Sequence, residues 1–163
     1  MRKPVTVFVS YAHANSKLAL RLCDNLRELL RPAKGVSIEL WSDRALDAGV
    51  QWQQEIFAAR NKSSLGLMLV SPAFLGSKFI VEHELPFFVG ENAKPMIPLM
   101  LSDIDFERHD LHGLADYQIF RLQDDKFAKP RSYNDLKPKR RAQFEQQVFQ
   151  LIYDRVRTLQ TDH

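Results

Sequence analysis

The sequence predicts an α/β domain built around a parallel sheet, and three observations carry that reading. The apolar pattern switches repeatedly between short β-like runs and the three-to-four spacing of amphipathic helices. One run, residues 64–71 (SLGLMLVS), is nearly all apolar, as a central parallel strand covered on both faces must be. The 163 residues, 45% apolar and 26% charged, suffice for one well-packed domain and not for two.

Residues 5–10 (VTVFVS) form a β-branched run and read as the first strand. Leu18, Leu22, Leu26, Leu29 and Leu30 then recur at helical spacing, in a helix that must end before Pro32. Gly35 opens a second strand over 36–41, and after a polar loop Trp52, Ile56 and Ala59 mark a second amphipathic helix. Pro72 stops the third strand, and Ser77 is placed to cap a helix beginning at Lys78. Pro86 breaks that helix, because its ring clashes with the carbonyl of Glu82 and it donates no hydrogen bond. Residues 95–101 (PMIPLML) read as a fourth strand, in which Pro98 requires an irregular or edge-like pairing. Residues 104–114 read as a short helix or loop, 117–122 (YQIFRL) as a fifth strand, and 123–136 as a polar surface loop. Phe144, Val148, Leu151, Ile152, Arg155 and Leu159 place one stripe on a closing helix over about 138–159. No internal repeat or interior linker divides residues 1–163, which read as a single domain with its core in 4–122.

Five strands alternating with helices give a flavodoxin-like three-layer sandwich, with right-handed crossovers favouring the order 2-1-3-4-5. In that order the chain winds in opposite directions from the gap between the carboxyl ends of the first and third strands, where ligands bind. The residues on this rim are Ser10-Tyr11-Ala12, the segment from Ser71 onward, and Trp41-Ser42-Asp43-Arg44.

Several chemistries are excluded. A single cysteine, Cys23, rules out a disulfide framework and a Cys-rich zinc module and fits a reducing compartment. The N-terminus carries no signal-peptide core, and no apolar stretch reaches the roughly 20 residues of a membrane span. The net charge of +3 falls short of what nucleic-acid binding would imply by itself. The chain thus reads as a soluble cytoplasmic domain. It contains no G-x-x-x-x-G-K-[ST], no G-x-G-x-x-G and no G-x-S-x-G. His83-Glu84 begins an H-E-x-x-H pattern, but Phe87 stands where the second histidine belongs, so no metal is expected. The first strand ends in Val9-Ser10-Tyr11 and lacks the acidic cluster of a phosphoacceptor receiver.

What remains is an ordered set of segments. Phe8-Val9-Ser10-Tyr11 with Asn15 comes first, and Leu40-Trp41-Ser42-Asp43-Arg44 then leads through Gly49 to Trp52 and Glu55-Ile56. Leu69-Val70-Ser71-Pro72-Ala73-Phe74-Leu75 follows, and then Ser77-Lys78-Phe79-Ile80 and Glu84-Leu85-Pro86. In this order and spacing the chain resembles a bacterial Toll/interleukin receptor (TIR) domain over residues 4–122. The resemblance implies the flavodoxin-like fold and, for many bacterial members, hydrolysis or cyclisation of NAD+. The family's catalytic glutamate usually lies four residues after a tryptophan in the third helix. Here the aromatic is Phe79, the residue four on is His83, and Glu84 follows one later. Glu84 is the expected catalyst, because Glu-Leu-Pro is a common bacterial form of this segment; Glu82 is the alternative.

The implied chemistry needs a single carboxylate. Breaking the nicotinamide–ribose bond builds positive charge on the sugar, and the pyridinium leaves as neutral nicotinamide without an acid. One glutamate facing the developing oxocarbenium suffices as an electrostatic catalyst. Ser10, Tyr11, Trp41, Asp43, Arg44, Trp52 and Phe79 are the expected substrate-binding residues: Phe79 and Trp41 or Trp52 stack on a flat ring, and Arg44 meets a phosphate oxygen. NAD+ is then a substrate, with no resident cofactor. The expected partners are a second copy, through the 43–51 loop, and other TIR domains or a sensor domain; membrane and nucleic acid are not expected.

Plainer readings stand beside these. A lone helix glutamate is usually a solvated charge, Ser10 and Tyr11 could simply finish a strand, and Trp52 and Phe79 could be core anchors. Cys23 lies on the apolar stripe of the first helix, and His13, His109, His112 and His163 show no ligand spacing and read as solvated. The basic run 137–141 precedes a helix, where the dipole disfavours cations; it reads as a solvated face, with an acidic partner, a neighbouring subunit or nucleic acid as the alternative.

Overall fold

The computed structural model describes residues 3–42 and 50–161, apart from the side chains of 50–52. Its strands and helices are β1 (Val5–Ser10), α1 (Ser16–Leu30), β2 (Ile38–Trp41), α2 (Val50–Lys62), β3 (Leu65–Val70), α3 (Pro72–Leu75), α4 (Lys78–His83), β4 (Met96–Met100) and α5 (Pro138–Thr161). The strands form one parallel sheet in the order β2-β1-β3-β4. Alternation along each strand sends side chains to two separate cores. Val7, Val9, Leu65, Leu67, Leu69 and Leu99 pack under α1 and α5. Phe8, Met68, Val70, Met96 and Met100 pack under α2, α3 and α4. Every residue of β3 is buried, which is why its sequence is continuously apolar. Among the described residues no helix is long and apolar enough to cross a membrane.

Local signals explain most element boundaries. The α1 stripe buries Ala19, Leu22, Cys23, Leu26 and Leu30. The Ser77 Oγ accepts a hydrogen bond from the Ile80 N–H and caps α4 as its position predicts. The one-turn helix α3 was not foreseen. Ser71 Oγ caps it by accepting from Phe74 N–H, and Pro72, besides ending the strand, occupies its first turn, where the missing donor costs nothing.

The expected fifth strand shrinks to a single bridge. Phe120 N–H donates to Pro98 O at 2.8 Å and Met100 N–H donates to Phe120 O at 2.9 Å, beside β4 in the fifth position. Extending this ladder backward requires an N–H on Pro98, which has none. Extending it forward fails because Leu122 N–H turns to Arg131 O at 2.9 Å and Ser102 N–H turns to Val70 O at 3.4 Å. Pro98 faces this short edge, so its missing donor leaves the β3–β4 ladder intact.

The segment 123–136 is not a polar surface loop throughout. Leu122 and Arg131 exchange both backbone bonds, Asn134 N–H donates to Leu101 O, and Ser132, Tyr133 and Leu136 are buried. Tyr133 Oη donates to Glu145 Oε2 at 2.6 Å, and Asn25 Nδ2 donates to the same oxygen at 2.8 Å. This buried carboxylate joins α1, α5 and the segment between β4 and α5. His112 likewise departs from the solvated placement, with Nε2 2.9 Å from Leu75 O. In the basic run, Arg140 pairs with Asp124 at 2.6 Å and Arg141 lies over the Tyr133 ring, while Lys137 and Lys139 are exposed.

Candidate active site

The end of α4 places the acidic side chain of interest. Glu84 N–H donates the last helical bond, to Ile80 O at 3.0 Å. Glu84 itself adopts φ −115°, ψ −56°, and Pro86 lies in the following 3-10 turn, Leu85–Phe87. This turn directs the Glu84 side chain inward, where the residue is only 6% exposed. Ser10 Oγ, at the carboxyl end of β1, donates to Glu84 Oε1 at 2.5 Å. Ser10 pairs in register with Met68 of β3, so the carboxylate lies at the rim where the order of the sheet reverses. Glu82 is exposed, with its carboxylate 3.9 Å from the exposed His83 ring. Two residues apart on a helix, the two glutamates face different sides.

Phe8, Val9, Tyr11, Trp41, Ile56 and Glu84 line a cavity of about 10 Å³. Trp41 stacks on Phe8 with centroids 5.4 Å apart, and Phe8 stacks on Phe88 at 5.9 Å. Of the residues singled out in the sequence, Ser10, Tyr11, Trp41 and Glu84 are therefore brought together. Phe79 is placed elsewhere: it stacks on Phe57 at 6.1 Å and leans on His83 at 5.1 Å, outside the lining of this cavity. Asp43, Arg44 and the side chain of Trp52 lie outside the described residues.

Sequence reasoning missed Arg60. It is 9% exposed, and its guanidinium lies 3.5 Å from the Phe87 ring centroid and 4.7 Å from that of Phe57. Its Nη1 donates to His83 O at 2.6 Å. Burial pulls the guanidinium below its ordinary pKa, and the charge of Glu84 opposes that pull. The C-terminus of α2 is held in turn by Lys94 Nζ, which donates to the carbonyls of Arg60, Asn61 and Ser63 at 2.7, 2.8 and 2.7 Å. The one available sequence signal was spacing: Ile56, Phe57 and Arg60 share one side of a helix.

Among the described lining residues Glu84 is the one acid, held by a hydroxyl donor, with a buried cation acting on it across the end of α4. That arrangement suits the stabilisation of developing positive charge. None of the curated proteins compared with the chain matches it. A family model for the TIR domain matches residues 7–136, a span that includes nearly the whole sheet and every described residue lining the Glu84 cavity. With most of its length matched and the parallel order β2-β1-β3-β4 in place, the chain belongs to the TIR domain family.

Proposed function

We propose that this TIR domain cleaves the nicotinamide–ribose bond of NAD+, by hydrolysis or cyclisation, with Glu84 as the catalytic carboxylate. The observation that carries the reading is a buried glutamate bonded to Ser10 at the sheet's switch point. In hydrolysis the C1′–N1 bond breaks and its electron pair stays on nitrogen, giving neutral nicotinamide. Water then adds to the ribose carbon and releases a proton, leaving ADP-ribose. Glu84 faces the developing oxocarbenium and accepts a ribose hydroxyl where Ser10 Oγ now donates. Trp41 and Tyr11 line the same cavity as this carboxylate and offer ring faces for stacking on a flat ring.

The 10 Å³ beside Glu84 is far below the roughly 300–1,000 Å³ of a ligand pocket, so the substrate enters only when the wall formed by Trp41 and its neighbours moves. An isolated copy is therefore a slow enzyme. Self-association through the 43–51 loop of a neighbouring copy completes the site, and the setting is bacterial defence or cell-death signalling in the cytoplasm. The same small cavity favours a second reading, a non-catalytic module that pairs with other TIR domains or with a sensor domain.

Concentrated protein incubated with NAD+ and followed by chromatography separates the two. Nicotinamide release that survives Glu82→Gln and disappears in Glu84→Gln supports the enzyme. Concentration-dependent assembly with no loss of NAD+ supports the module, and equal turnover in Glu84→Gln refutes the assignment of the catalyst.

A further inference from the structure

We propose that Arg60 is a positioning residue for Glu84, a clamp on the peptide between residues 83 and 84 that also presents its charge to the carboxylate. The proposal deepens the reading of Glu84 as the working acid and rests on it for its kinetic arm. In an uninterrupted helix, His83 O would accept from Phe87 N–H. Here Phe87 N–H donates to Glu84 O at 3.2 Å and Phe88 N–H to Leu85 O at 2.9 Å, so the break at Pro86 releases the His83 carbonyl. Arg60 Nη1 takes it at 2.6 Å. The 83–84 peptide is thus held at both ends, by Ile80 O on α4 and by Arg60 on α2. Rotation of that peptide would swing the Glu84 carboxylate off Ser10.

A neutral donor could satisfy His83 O without burying a charge. An arginine that is nine-tenths buried between Phe57 and Phe87 carries a desolvation cost, offset in part by attraction to Glu84. The clamp is rigid because the two rings flank the guanidinium and Lys94 fixes the carbonyl of Arg60 itself. Among the described residues, the groups near the carboxylate include Ser10 and Tyr11 from the end of β1; Lys94 acts on Arg60, and His83 and Glu82 are exposed on α4.

The test uses the full chain labelled with 13C-glutamate, with the Glu84 carboxyl resonance identified by its loss in Glu84→Gln. In Arg60→Gln the titration midpoint of Glu84 rises by about one pH unit, because a nearby positive charge is removed. In Arg60→Lys it stays within about 0.3 units of the wild type, since the charge is retained. Under forced assembly, kcat for nicotinamide release falls roughly tenfold or more in Arg60→Gln with KM nearly unchanged, and its acidic limb moves to higher pH. Arg60→Lys recovers part of that loss. Should Arg60→Gln fail to fold, Arg60→Met, which retains packing between the two rings, takes its place. Equal Glu84 midpoints in all variants overturn the proposal whatever NAD+ does. Absence of turnover in the wild type sinks the NAD+ reading and leaves the NMR result to decide the role of Arg60.

Discussion

Replacing Ser10 by alanine probes the geometry on which the site depends. Ser10 is 1% exposed and Glu84 6%, and the hydroxyl donates to Oε1 at 2.5 Å. A hydrogen bond to a charged group contributes about 1.5–3 kcal/mol, and a buried carboxylate that loses a donor keeps its desolvation cost. Alanine removes one oxygen and creates almost no cavity, so the lost bond dominates; the expected destabilisation is about 2 kcal/mol. For a chain of this length that lowers Tm by about 4–8 °C, and it shifts the urea midpoint by about 1 M at an m-value near 2 kcal/mol/M. Urea unfolding followed by circular dichroism, with m unchanged, measures it. The same substitution in a Glu84→Gln background should cost at least about 1 kcal/mol less, since the acceptor is no longer charged. A Ser10→Ala cost below about 0.5 kcal/mol, or full additivity with Glu84→Gln, would refute the claim that the two side chains are coupled in the folded protein.

Two further substitutions test the frame around the site. Burial, followed by the bond to Glu145, pushes the Tyr133 phenol well above its ordinary pKa of about 10, so the folded state keeps its proton when the unfolded chain loses its own. Tyr133→Phe should cost about 1.5–3 kcal/mol at pH 8, and that gap should narrow by about 0.8 kcal/mol at pH 10.5, because wild-type stability is lost as pH rises above 10; urea midpoints of both proteins at both pH values give the comparison. Gly66→Ala would set a Cβ 2.6 Å from Phe88 Cδ1 and 2.7 Å from Met68 Cε. The Met68 side chain can yield, but Phe88 is fully buried and stacked on Phe8, so a loss of about 1–3 kcal/mol should appear in urea unfolding despite the lower chain entropy of alanine.

The elements whose causes are local were legible in advance. The leucine spacing of α1, the Ser77 cap of α4 and the continuous apolar run of β3 each express a rule that acts within a few residues or across a covered sheet. Pro98 announced an imperfect edge, but the loss of the fifth strand also required Leu122 to choose Arg131 and Ser102 to choose Val70. The burial of Tyr133 was hidden for the same reason, since its acceptor on α5 and that acceptor's second donor, Asn25 on α1, are remote in the chain.

At the site, residue types and order were enough to locate a rim, and the resemblance to TIR domains pointed to Glu84, with Glu82 as the alternative. Which of them turns inward was decided by tertiary structure, because a helix broken at Pro86 has no intrinsic register beyond its last bonded turn. Ser10, 74 positions away, and Arg60, 23 positions before the carbonyl it holds, set that register. Packing also sets Phe79 against Phe57, outside the lining of the Glu84 cavity. Side-chain patterning determined the layers of this protein; the direction of one carboxylate depended on contacts that exist only after β1, α2 and α4 have packed together.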